Sequence, residues 1–271
     1  MPKGELRYFA HQLSSSFKEL ILVNLADVHY GNPLCSIEHY DKDIKFVKET
    51  RNAFATLNGD LCESSLRTSK GDIFEQVGSP QKQRDWQIAR LKPIKHKILG
   101  MTTGNHEIRL AHEGLDISED IAKALNIPYR PEGILLKISF GDHNNWTKGK
   151  PYSYFVYLTH GYGGARTKAA KAVKVERLAT WIHADLYIMS HDHVVNVAPD
   201  VYLMPDARTT EDPATGWLTG KVRAHRKILV KSNAYLKWGG YAEQGGFPPV
   251  DLESPRIILK GTGEPRIKVE V

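Results

Sequence analysis

Short apolar runs that stop abruptly at Asp, Asn or His recur along this chain, and no other feature restricts its fold as much. The run at 19–25 leads into Asp27-Val28-His29, and the run at 53–57 into Asn58-Gly59-Asp60. Ile98-Leu99-Gly100-Met101 precedes Thr102-Thr103-Gly104-Asn105-His106-Glu107, the β-branched and aromatic stretch 152–159 precedes His160, and Leu186-Tyr187-Ile188-Met189 precedes Ser190-His191-Asp192-His193. Apolar runs of this length read as buried strands, the first ones parallel. In an open α/β sheet the loops beyond the carboxyl ends of the strands converge, and ligands bind there. The five polar clusters are therefore expected to meet in space.

The segments between these runs supply helices. Ile37, Tyr40, Ile44 and Val47 recur at helical spacing, a second helix is expected over 83–91 and stops at Pro93, and a third starts with Ser118 as N-cap. Residues 64–81, rich in Ser, Lys, Gly and Gln, read as a surface loop of the kind that rims an active site. From Gly133 the pattern alternates through Ile134, Leu136, Ile138 and Phe140, predicting a long hairpin with 152–159. A helix is expected over 167–182, and the strand-like remainder at 201–204, 222–231, 257–260 and 267–271 suggests a second sheet. The expectation is a single α/β domain over 1–271, with two packed mixed sheets flanked by helices in four layers, α/β/β/α, and the site at the strand ends.

Charge and cysteine content narrow the function classes only mildly. A net charge of +6, with Lys and Arg spread over the chain, favours an acidic partner, so nucleic acid, nucleotides and phosphoproteins all stay open. Without an apolar run long enough to cross a bilayer, and with no apolar h-region after Met1, a cytoplasmic protein with no membrane partner is expected. The two cysteines form no CxxC pair, which suits a reducing compartment. Cys62 and Arg67 lie one residue too close for a thiol phosphate loop, so Cys62 reads as a small buried hydrophobe. The oligomeric state is not readable.

Two Asp, one Asn and four His at the strand ends make seven candidate ligands: Asp27, His29, Asp60, Asn105, His160, His191 and His193. Seven exceeds the need of one catalytic zinc and suits two divalent ions sharing a carboxylate. Mixed nitrogen and oxygen donors favour Mn, with Fe or Zn as further fits, over Mg or Ca. Two such ions would clamp a phosphoryl oxygen and acidify a water into a hydroxide nucleophile.

In order, the blocks Asp27-Val28-His29, Gly59-Asp60, Gly104-Asn105-His106-Glu107, His160-Gly161 and His191-Asp192-His193 resemble the signature of the calcineurin-like metallophosphoesterases over about residues 20–195. The resemblance implies that Asp27, His29 and His193 hold one metal, that Asp60 bridges, and that Asn105, His160 and His191 hold the second. It also implies that His106 is catalytic, bonding the substrate phosphate and protonating the leaving oxygen, with Glu63 as its partner where many relatives have Asp. Ser190 stands where the family usually has Gly, a small change at a tight turn.

The basic helix after His160 carries Arg166, Lys168, Lys171 and Lys174. Arg166 and Lys168 are candidate substrate-binding groups, against a plain reading in which the helix merely solvates one face. Trp217, Tyr235, Trp238, Tyr241 and Phe247 either stack on bases or pin loops to the core. The charge balance, and a likeness of 161–169 and 232–249 to small phage-type and DNA-repair-exonuclease-like members, favour a phosphodiesterase or nuclease acting on nucleic acid or nucleotides. The alternatives are a phosphomonoesterase, protein phosphatases included, and a non-catalytic scaffold on the same fold. Against a protein phosphatase, Gly59-Asp60-Leu61-Cys62-Glu63 lacks the GDxVDRG form.

Overall fold

The computed structural model describes residues 5–67, 69, 73–141, 150–165, 167–244 and 248–271. Strands β1 (Tyr8–Gln12), β2 (Glu19–Leu25), β3 (Ala53–Asn58) and β4 (Ile98–Thr102) are followed by β5 (Ile134–Phe140), β6 (Tyr152–Thr159) and β7 (Leu186–Met189). After these come β8 (Asn196–Glu211), β9 (Leu218–Lys231), β10 (Arg256–Lys260) and β11 (Ile267–Glu270). The α-helices are α1 (Ile37–Glu49), α2 (Pro80–Leu91), α3 (Asn105–His112), α4 (Ile117–Leu125), α5 (Lys168–Trp181) and the short α6 (Gly240–Gln244).

The strands form two mixed sheets, ordered β11-β10-β2-β3-β4 and β1-β5-β6-β7-β9-β8. β2, β3 and β4 run parallel, as do β6, β7 and β9, while β10 and β8 pair antiparallel at one side of each parallel set. The second sheet is thus built on the β5–β6 hairpin. The C-terminal strands, which the sequence pattern assigned to a second sheet of their own, divide between the two. Each joins whichever sheet offers its apolar face a partner: Ile257 and Leu259 of β10 meet the β2 side, and Ile228 and Val230 of β9 the β7 side.

Side-chain alternation along the strands fixes the layers. Leu20 and Leu22 of β2, Phe54 of β3 and Leu99 of β4 point toward the other sheet and pack with Leu136, Val156, Leu158 and Ile188. Val23, Leu25, Ala55 and Leu57 point the opposite way, against Tyr40, Ile44 and Val47 of α1, Leu91 of α2 and Ile121 of α4. On the outer face of the second sheet, Val175 and Leu178 of α5 cover Tyr157, Tyr187 and Leu229. The order is helix, sheet, sheet, helix.

A buried polar belt ties the two sheets together beneath their carboxyl ends. Thr56 Oγ1 donates to Asn24 Oδ1 (2.9 Å), Asn24 Nδ2 donates to the Oγ atoms of Ser232 (2.9 Å) and Ser190 (3.2 Å), and Asn58 Nδ2 donates to Ser190 Oγ (2.9 Å) and the Thr159 carbonyl (3.0 Å). Thr102 Oγ1 closes it by donating to Asn58 Oδ1 at 2.6 Å. A satisfied network of this kind admits one register of β2, β3 and β4 against β6, β7 and β9. Ser190 is one of its hubs.

Candidate metal centre

Strands β2, β3, β4, β6 and β7 each lead from the belt into a segment that carries ligand-type side chains. Asp27, His29, Asp60, His191 and His193 all have left-handed backbones, with φ of 49°, 51°, 50°, 71° and 51°. Non-glycine residues resist this conformation, at about 1 kcal/mol or more each, and it persists where the surroundings over-determine it. Here neighbouring turns lock one another: Asp27 N donates to the Gly59 carbonyl, His29 N to the Asp60 carbonyl and Ser190 N to the His160 carbonyl, all at 3.0 Å. The turns aim five clusters of side chains at one point.

Among the described residues three metal-capable groups result: Asp27, His29 and His193; Asp60, His160 and His191; and His29, Asp60 and His106. For His29, His160 and His191, the second imidazole nitrogen shows what the first is for. His29 Nδ1 lies 3.1 Å from Glu63 Oε2, His160 Nδ1 lies 2.8 Å from the Asn58 carbonyl, and His191 Nε2 lies 2.7 Å from the Gly163 carbonyl. Those oxygens only accept, so these nitrogens are the donors, and the opposite nitrogens face inward, free to offer a lone pair to a cation once any proton on them has left.

What they face is more acceptors. His29 Nε2 is 3.1 Å from His193 Nε2, which is 3.4 Å from Asp27 Oδ1. His160 Nε2 is 3.2 Å from Asp60 Oδ2 and 3.1 Å from Asn105 Oδ1, while His191 Nδ1 is 2.7 Å from the same Asn105 oxygen. Asp27 Oδ1 is buried and, among the described residues, accepts no hydrogen bond, with His193 Nε2 as its 3.4 Å neighbour, whereas Oδ2 takes the His191 amide at 2.9 Å. Converging lone pairs with an orphaned carboxylate oxygen require a cation, and the donor set fits divalent ions.

The electrostatics express the same demand. Burial disfavours the Asp60 carboxylate, yet the His160, His106 and His29 rings hold it well below the usual range. Burial alone would depress His160, but the Asp60 charge overrides it and carries the imidazole to about 10. In the metal-free site a proton thus takes the cation's place. Burial lowers His29, with Glu63 working against it, and the ring stays neutral as a ligand must.

Two acidic residues hold the turns. The expected pairing of the Glu63 carboxylate with His106 takes another form: the Glu63 carbonyl receives His106 Nδ1 at 2.6 Å, while the carboxylate reaches His29 and lies 3.9 Å from His106. The longer Glu side chain carries the carboxylate past His106, and the main chain does the holding. Burial opposes ionisation of Glu63, but the bond from His29 brings it to about 2. Glu107, unassigned in the sequence pattern beyond its place after His106, takes the amides of Asp60 (3.0 Å), Cys62 (3.0 Å) and Gly104 (3.1 Å) on its buried carboxylate. It latches the Asp60 turn to the start of α3.

A third acidic residue, Asp192, sits between two ligands and is gripped by lysines. Lys174 Nζ contacts Oδ1 at 2.8 Å, Lys231 Nζ contacts Oδ2, and Lys171 Nζ donates to the Asp192 carbonyl at 2.8 Å. The basic helix is therefore neither a plain solvated face nor a free cationic track, because Lys171 is 1% exposed and turned inward. Lys168 is exposed and is not among the residues lining the cleft, and Arg166 lies outside the described residues.

A cleft of about 520 Å³ opens over the ligands. One wall holds His29, Asp60, Asn105, His106 and His193; Leu236, Trp238, Pro248 and Val250 form an apolar wall. The rim comes from Leu236, Lys237, Trp238, Ala242, Pro248 and Val250, and the described residues of 64–81, expected there, instead include the buried Ser64 and Ser65. Of the aromatic candidates, Trp238 lines the cleft, Tyr235 is buried with its hydroxyl on Asp43 Oδ2 (2.7 Å), and Trp217 is 73% exposed beyond β8. The Tyr241 side chain and Phe247 lie outside the described residues. Arg109, which no sequence pattern singled out, also lines the cleft.

No protein-family model matches the sequence, and no curated protein matches it. Among solved structures, Vacuolar Protein Sorting 29 from Cryptosporidium parvum is similar at 11% identity and a TM-score of 0.41, over 93% of this chain and 97% of that one. A conserved protein from Streptococcus pneumoniae TIGR4, described as a predicted phosphoesterase, is similar at 11% identity and a TM-score of 0.39, over 94% and 90%. Pseudomonas putida nuclease MPE is similar at 12% identity and a TM-score of 0.36, over 92% and 87%.

Proposed function

We propose that this chain is a metal-dependent phosphoric ester hydrolase of the calcineurin-like metallophosphoesterase type, acting on phosphodiesters of nucleic acid or nucleotides. The observation that carries the reading is the convergence of ligand-type nitrogen and oxygen atoms on two adjacent points, with Asp60 near both and Asp27 Oδ1 accepting no hydrogen bond among the described residues. Asp27, His29 and His193 would hold one ion, Asn105, His160 and His191 the other, and Asp60 would serve both. When bound, two divalent ions supply Lewis acidity to a phosphoryl oxygen and lower the pKa of a water nucleophile.

The chain's own residues do the rest. Glu63, Asn58 and Gly163 fix the ligand tautomers by accepting the outer N–H of His29, His160 and His191. His106 has Nδ1 anchored on the Glu63 carbonyl, which turns Nε2 into the cleft, 3.9 Å from Asp60 Oδ2. With Nδ1–H on that carbonyl, it is the doubly protonated imidazolium whose Nε2–H can bond a phosphoryl oxygen and pass its proton to the leaving oxygen, leaving the neutral ring with Nδ1–H in place. The lysines on Asp192 keep the turn of His191 and His193 rigid, and the apolar wall with Trp238 offers a face to the leaving group or its base.

The test is to load the protein with Mn, Fe or Zn and compare turnover of p-nitrophenyl phosphate, bis-p-nitrophenyl phosphate, and single- and double-stranded DNA. Preference for the diester or DNA is expected. Preference for the monoester with inert DNA would favour the phosphomonoesterase alternative, and metal binding with no turnover of any ester would favour a scaffold.

A further inference from the structure

Arg109 follows His106 by three residues on α3, so both side chains rise from one face of that helix, and both line the same cleft. Its Nε and Nη2 atoms are buried, and among the described residues neither has an acceptor. These two nitrogens form one edge of the guanidinium, the edge whose parallel N–H bonds fit two oxygens of a single oxyanion. The other basic groups near the site are differently placed: Lys171, Lys174 and Lys231 all bond Asp192, and Lys237 lines the cleft as an exposed side chain in contact with solvent. A guanidinium remains charged at any physiological pH, so a covered and unmatched edge beside an ester-binding cleft lacks an anion.

Ions held by the candidate ligands, together with His106, would take the oxygens of the scissile phosphate. On the phosphodiesterase reading, which this inference rests on and deepens, the Arg109 edge is left for another group of the same molecule. We infer that Arg109 binds a second phosphate adjoining the scissile one, making the protein selective for substrates with consecutive phosphates. The second phosphate comes either from a terminal phosphate or from the next internal diester, and both present the same oxygen pair.

The experiment measures kcat/KM of wild type, Arg109→Ala and Arg109→Lys on TpT, pTpT and TpTpT, alongside metal content and thermal melting. Wild type is expected to prefer pTpT, TpTpT or both over TpT, and Arg109→Ala to shrink that preference about 10–100-fold, the range of a charge-assisted bidentate contact. Arg109→Lys, which keeps charge but not the fork, should recover only part of it. Preference for pTpT identifies the terminal phosphate and preference for TpTpT the internal one. An equal loss on all three substrates, or an unchanged preference in Arg109→Ala, overturns the inference. If wild type hydrolyses none of them, the phosphodiesterase reading falls. Arg109 is then judged by calorimetric titration of thymidine 3′,5′-bisphosphate against thymidine 5′-phosphate into metal-free protein. Selective weakening of the bisphosphate in Arg109→Ala supports its role, and equal affinities rule it out.

Discussion

His29 Nε2 and His193 Nε2 face each other across 3.1 Å, with Asp27 Oδ1 3.4 Å from the latter and accepting no hydrogen bond among the described residues. A divalent ion between them would relieve all three groups together. Wild-type protein is expected to bind two ions per chain, and Asp27→Ala about one, as read by elemental analysis after dialysis. Saturating metal at a hundredfold its Kd stabilises the fold by about 2.7 kcal/mol, visible as a rise in melting temperature. Two ions retained in Asp27→Ala would remove Asp27 from the ligand set.

His160 makes a separate prediction about pH. Asp60 holds its proton in the metal-free site up to about 10, so an arriving ion has to displace that proton. Metal binding should release protons, and the apparent affinity should rise as pH rises, by up to about tenfold per unit below that pKa. Calorimetry in buffers of different ionisation enthalpy counts the protons. Affinity that falls or stays flat between pH 6 and 8 contradicts the assignment.

Glu63 and His106 are separable by mutation, because the Glu63 carboxylate lies on His29 and only its carbonyl holds His106. Glu63→Gln should weaken metal binding, by about 10–100-fold for a lost outer partner of a ligating His. His106→Ala should keep both ions and lose about 10²–10⁴-fold in turnover, as for a missing general acid. If Glu63→Gln instead retains metal and loses only turnover, the carboxylate acts on His106 after all.

The candidate ligand residues and most strands are legible in the sequence because both follow from short-range pattern. An apolar run buries itself, and the Asp or His after it sits where the strand ends. The helix Asn105–His112 is not, since it begins inside a ligand motif and its first turn is held by the Glu107 carboxylate on the Gly104 amide, a feature no apolar spacing announces. Ser118, read as an N-cap, lies inside α4, and Asp116 caps it instead by accepting the Glu119 amide at 2.9 Å. Asn24, Thr56, Asn58 and Ser232 look like interruptions in apolar strands until the two sheets bring them together. The inward turn of Lys171 and the unmatched edge of Arg109 depend on what lies across the cleft, which periodicity along one helix does not encode.

Gly104 tests whether the Asp60 turn and the α3 start behave as one unit. A Cβ at this position would stand 2.0 Å from Asp60 Oδ1 and 2.1 Å from Asp60 N, with no flexible side-chain end to give way on the amide side. Gly104→Ala must therefore displace Asp60, which is also tied through Oδ1 to the His106 amide at 2.9 Å. Overpacking of this kind is expected to cost about 3 kcal/mol in urea unfolding and to lower metal content together with stability. Gly164→Ala is the control on the same cleft, because nothing lies within 4 Å of its added Cβ, and it should stay within about 0.5 kcal/mol of wild type. A Gly104→Ala protein that matches the control in both stability and bound metal would show that the turn has room to move, and that the latch from Glu107 does not fix Asp60 in place.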